Sequence, residues 1–87
     1  MQADHKKIER LLKTARGQID GILRMVEEDR YCMDISAQVT ATDAILRKVN
    51  NEIIRAHMKG CVQSAILEGA GDEKIDELMN VVDKITK

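Results

Sequence analysis

The chain contains no proline, phenylalanine or tryptophan and a single tyrosine, yet 44% of its 87 residues are apolar. A core must therefore be built from Leu, Ile, Val, Ala and Met, with nothing to break a helix except five glycines. Such a core suits helices packed on helices. The apolar spacing agrees. Ile8, Leu11, Leu12, Ala15, Ile19, Ile22, Leu23 and Val26 recur at steps of three and four, which predicts an amphipathic helix over about 4–29 with Asp4 as its N-cap. Gly17 and Gly21 lie inside it, each costing ~1 kcal/mol relative to alanine. Small residues four apart also let another helix approach closely.

The stretch from Glu27 to Arg30 is polar and predicts a turn. A second pattern runs from about Met33 through Ile35, Val39, Thr42, Ile45, Leu46, Val49, Ile53, Ala56 and Met58 to about Leu67, with Gly60 inside it. Gly69-Ala70-Gly71-Asp72 is the one clear break, with Gly69 suited to a helix C-terminus and Asp72 to an N-cap. The last helix is expected over about 73–86, with Ile75, Leu78, Met79, Val82 and Ile85 on one stripe. The expected fold is all-α: two long helices in an antiparallel hairpin plus a short C-terminal helix, one domain over 1–87. Three helices cannot bury all these apolar faces in one small chain, so a dimer or larger assembly is expected.

The chemistry centres on Cys32, His57 and Cys61. His57 and Cys61 are four apart on a helix and project from one face, one turn apart. Cys32 lies 25 positions before His57. At ~1.5 Å rise per residue an unbroken helix separates the two by roughly 37 Å. One chain then cannot close a site from all three, whereas an antiparallel partner can bring its Cys32 to this chain's His57 and Cys61. The spacing points to metal or thiol chemistry across a dimer interface. Two thiolates and an imidazole suit three-coordinate Cu(I); Zn(II) fits with a water or a borrowed carboxylate as fourth ligand. The plain alternative is a pair of buried, inert cysteines. The five methionines form no MxM or MxxM pattern and read as core.

A coordinating histidine usually has its other ring nitrogen held by a carboxylate or similar group. Glu77 or Tyr31 can supply that hold; equally, a solvated glutamate and a half-buried tyrosine account for both. Net charge is −1, but its distribution is uneven. Lys6, Lys7, Arg10, Lys13 and Arg16 face one acid, Glu9, near the front, and the segment after Cys61 is acidic. The basic run is either a solvated helix face or a phosphate-contacting one. It contains no zinc finger, basic zipper or recognition-helix motif. No Gly-rich phosphate loop, GxSxG or HExxH occurs, so the chain is not expected to be an enzyme. With no signal peptide and no apolar run near 18 residues, it is expected to be cytoplasmic, with reduced thiols and no membrane partner.

Several runs together resemble the copper-sensing operon repressor (CsoR/RcnR/FrmR) family: Gly17-Gln18-Ile19, Met25 through Cys32, Gln38, His57 and Cys61-Val62. The likeness covers nearly the whole chain, and the Cys, His, Cys set resembles the copper(I)-sensing branch. The resemblance implies helical hairpins paired into four-helix-bundle dimers and then homotetramers that bind operator DNA. It implies Cu(I) held by Cys32 of one protomer and His57 and Cys61 of the other, with Tyr31 and Glu77 on the far nitrogen of His57. It implies repression without metal, release with it, and DNA contact by the basic face of the first helix. The chain departs from the family pattern at Thr14 and Asp20, where arginine is usual, and at Ile54-Arg55-Ala56, where an acidic stretch is usual. Two other readings stand beside this one: a persulfide- or redox-sensing repressor using Cys32 and Cys61, and a metal-buffering protein that binds no DNA.

Overall fold

The computed structural model describes residues 1–68 and 71–85. They form three helices, α1 His5–Glu27, α2 Cys32–Glu68 and α3 Gly71–Ile85, with no strand among the described residues. The expected order and class hold, and each expected boundary falls within two residues of the observed one. The Gly69 stop lies outside the described residues, as does the side chain of Asp72. No helix of the described residues is long and apolar enough to cross a membrane.

α1 begins as its sequence dictates. The Asp4 carboxylate accepts from the backbone N–H of Lys6 at 3.0 Å and of Lys7 at 3.4 Å, satisfying two donors that the helix leaves unpaired. Its end is a complete Schellman motif. The Asp29 N–H donates to Val26 C=O at 3.1 Å and the Arg30 N–H to Met25 C=O at 2.9 Å. Asp29 takes the left-handed conformation, φ 53°, that usually falls to glycine. The Tyr31 carbonyl then accepts from Asp34 and Ile35, so Cys32 is the first residue of α2.

The chain divides into two compact units, Asp4–Glu52 and Ile53–Lys87 with Met1–Ala3. The first is an antiparallel hairpin. Lys7 meets Glu52, and eleven residues further along α1 Gln18 meets Thr42, ten residues back along α2. Ile8 and Ala15 are buried on α1, and Thr42 and Val49 on α2. Each pair is seven residues apart, one stripe per helix. The Thr42 hydroxyl lies 2.8 Å from Gln18 Oε1 and 3.1 Å from the Gln38 carbonyl oxygen. With the Gln18 amide turned over, its NH₂ donates to Thr42 Oγ1 and the Thr42 proton goes to Gln38, so every group is served. A second apolar stripe on α1, formed by Leu12, Ile19, Leu23 and Val26, is left exposed.

In the second unit Ala3 and Cys61 are buried. Gly60 does not interrupt α2. It lies against the Gln2 side chain, where an added Cβ would sit 3.3 Å from Gln2 Cδ. Gly17 and Gly21 do not serve close approach within the chain. A Cβ at Gly17 would meet nothing within 4 Å, and one at Gly21 only the Arg24 guanidinium at 3.9 Å.

Candidate metal centre and basic face

One turn of α2 carries His57 and Cys61, and α3 brings Glu77 to them. Cys61 Sγ lies 3.4 Å from His57 Nε2, and Glu77 Oε1 lies 2.7 Å from the same nitrogen. The three donor atoms are all within 4.8 Å of one another. The His57 and Glu77 side chains are each about 42% exposed, whereas Cys61 is buried. Both cysteines are free thiols.

A nitrogen has one proton or one lone pair to offer. With the proton on Nε2, His57 donates to the Glu77 carboxylate, and Nδ1 keeps its lone pair for a metal. That tautomer is the form in which an acidic residue holds a ligating imidazole. In one respect the geometry differs from what the resemblance implies. Glu77 and Cys61 Sγ share Nε2, so Glu77 is not on the nitrogen remote from the thiol.

Cys32 and Tyr31 belong to the other unit. Both are exposed at the head of α2, Tyr31 with 65% of its surface free.

The five basic residues of α1 are not equivalent. Lys7 Nζ pairs with Glu52 at 3.0 Å, and Lys13 Nζ with Glu9 at 2.8 Å. Among the described residues no ion pair engages Lys6, Arg10 or Arg16. Lys6, Glu9, Arg10, Lys13 and Thr14 line a shallow open groove along α1, where Thr14 Oγ1 donates to the Arg10 carbonyl oxygen at 3.0 Å. The Gln18–Thr42 contact was not anticipated. Its signal was present in the sequence, a threonine standing in an otherwise apolar row.

One unit thus carries a cationic helix face and the other a thiol–imidazole–carboxylate cluster. The profile of the metal-sensitive transcriptional repressors matches residues 4–84, and the chain belongs to that family, whose members are not enzymes. It is 44% identical over 71 residues to the copper-sensing transcriptional repressor CsoR of Mycobacterium ulcerans, covering 82% of this chain and 61% of that protein. The chain thus spans about three-fifths of that relative's length. Among solved structures it is similar to the copper-sensing repressor CsoR with Cu(I) from Geobacillus thermodenitrificans, with 40% identity and TM-score 0.85 over 94% of this chain and 85% of that one. It is also similar to the nickel-responsive transcriptional regulator InrS, with 31% identity and TM-score 0.88 over 97% and 94%.

Proposed function

We propose that this chain is a copper(I)-responsive transcriptional repressor, a single metal-sensing and DNA-binding domain that works in the cytoplasm as a homodimer or homotetramer. The observation that carries the reading is the His57–Glu77 bond one turn from Cys61, which ties a potential ligand on α2 to α3. The donor set fits the ion. Cys61 lies one helical turn from His57, whose Nδ1 lone pair the Glu77 bond leaves open, and Cys32 is exposed and free to join another chain's pair. Two thiolates and an imidazole favour Cu(I) over harder ions. Tyr31, next to Cys32, would join Glu77 in positioning His57.

The exposed stripe Leu12, Ile19, Leu23 and Val26 supports pairing with a second copy. Lys6, Arg10 and Arg16 are free for phosphates of operator DNA; Lys7 and Lys13 join them only by leaving Glu52 and Glu9. Metal and DNA then compete through the protein. If copper weakens DNA binding tenfold, DNA weakens copper binding tenfold, a coupling of ~1.4 kcal/mol, and a near-complete switch requires ~5.5 kcal/mol.

The test is anaerobic Cu(I) titration of the reduced protein with X-ray absorption at one equivalent per chain. It is followed by mobility shift on the DNA upstream of its own gene. Two sulfurs and one nitrogen, lost in Cys32→Ala and His57→Ala, with DNA released by copper, is the expected result. An ill-defined copper site, with persulfide instead bridging Cys32 and Cys61 and releasing DNA, would replace copper with sulfur chemistry. Copper binding with no DNA binding would make the chain a metal buffer.

A further inference from the structure

We propose that Met1–Ala3 form a strap that is seated on Gly60 of α2 and gates the approach of thiol-directed species to Cys61. The strap concerns access to one thiol in the metal-free chain, which goes beyond the copper reading and does not rest on it.

Met1–Ala3 pack with Ile53–Lys87 and not with the hairpin that directly follows them in the chain. Ala3 is only 8% exposed, against 65% for Met1. Helix capping does not account for that burial, because the Asp4 side chain caps α1 by itself. The segment is therefore docked. Its seat is Gly60. A Cβ at residue 60 would lie 3.3 Å from Gln2 Cδ, 3.4 Å from Gln2 Oε1 and 3.6 Å from Gln2 Cγ. After proline, glycine is the costliest residue inside a helix, yet α2 carries one here. The space that the missing side chain leaves is the space that Gln2 fills. At Gly17 and Gly21 no side chain from a distant part of the sequence comes as close. Gly60 falls within the four-residue step from His57 to Cys61, so the strap meets α2 on the turn that carries both. On that turn Cys61 is buried, although His57 and Glu77 beside it are half-exposed and Val62 after it is exposed.

The strap is held lightly, which makes it a gate rather than a wall. Among the described residues no hydrogen bond or ion pair engages Met1, Gln2 or Ala3. A segment held by a buried methyl and one side-chain contact opens locally far more often than a helix does. Its lifting bares the Cys61 turn without unfolding α2. A thiophilic species, whether a copper donor or a persulfide, then reaches Cys61 during such openings. Cys32 is exposed and free of this control, so the two thiols differ in the rate at which they can be reached.

The experiment is iodoacetamide alkylation of the reduced, metal-free full chain, with each thiol followed separately by peptide mass spectrometry. Two variants lift the strap by different means. Ala3→Gln places an amide where only a methyl fits, and Gly60→Ala puts a methyl against Gln2. Each is expected to speed alkylation of Cys61 by about threefold or more while Cys32 stays within about twofold of wild type. Urea melts separate gating from general loosening, since Gly60→Ala should be at least as stable as wild type on helix propensity. Faster alkylation of Cys61 in that variant with undiminished stability supports the strap. An unchanged Cys61 rate in either variant, or a rise matched at Cys32, would overturn it. The copper reading fails separately, if Cu(I) binding survives Cys32→Ala.

Discussion

Lys7 offers the sharpest test of how the basic face is deployed, because its charge is already spoken for. Its Nζ lies 3.0 Å from Glu52 Oε1, with the two side chains 37% and 35% exposed. In bulk water a pair at that distance attracts by ~1.4 kcal/mol. Ordering two long side chains offsets part of that, leaving about 0.5–1 kcal/mol. Glu52→Gln should therefore destabilise the chain by that amount, lowering Tm by roughly 2–8 °C at fixed protein concentration. A double-mutant cycle with Lys7→Ala should return the same coupling. The DNA consequence has the opposite sign. Glu52→Gln releases Lys7, and each Lys7 that reaches a phosphate steepens the dependence of log K on log salt by ~0.9. Mobility shift or fluorescence anisotropy across a salt series measures it. In the Glu52→Gln/Lys7→Ala double variant the gain should vanish. If the gain survives that second change, or if Lys7→Ala alone flattens the wild-type slope by a full phosphate, the ion pair does not hold Lys7 back from DNA.

Two predictions concern the scaffold. Asp29 holds a left-handed backbone conformation, so thermal melts should rank Asp29→Gly above wild type and wild type above Asp29→Val, with ~1–2 kcal/mol between the extremes; Asp29→Val melting with Asp29→Gly would show that the turn imposes no such conformation. At Gly17 an added methyl meets nothing within 4 Å, so Gly17→Ala should stabilise the helix by up to ~1 kcal/mol and leave the sedimentation profile unchanged. A smaller sedimenting species in that variant would place a partner helix against Gly17.

Helix positions were legible in the sequence because apolar spacing and capping chemistry are local. Asp4 caps α1 as its position ahead of the apolar row implies, and Gly60 is carried inside a long helix because no second breaker accompanies it. The turn was legible as polar but not as a Schellman motif, since that motif normally shows itself by glycine and here uses Asp29. His57 and Cys61 were legible as neighbours from their four-residue spacing. Glu77 was only one of two candidates beside Tyr31, because nothing local ties position 77 to position 57; the family resemblance gave both the role of holding His57. The charge run on α1 hid a division of labour. Glu9 is four residues from Lys13 and could have been paired with it on paper, but Glu52 is 45 residues from Lys7 and comes near only when the hairpin folds.

Among the described residues not one side chain is more than 98% removed from solvent in the isolated chain. Marginal interiors of this kind leave little margin against unfolding, and association supplies stability by mass action. The amount of intact regulator in a cell would then rise more steeply than its rate of synthesis. Chains made below the threshold for association would spend longer open to proteases. The abundance of the proposed repressor would thereby carry a control set by protein turnover as well as one set by transcription.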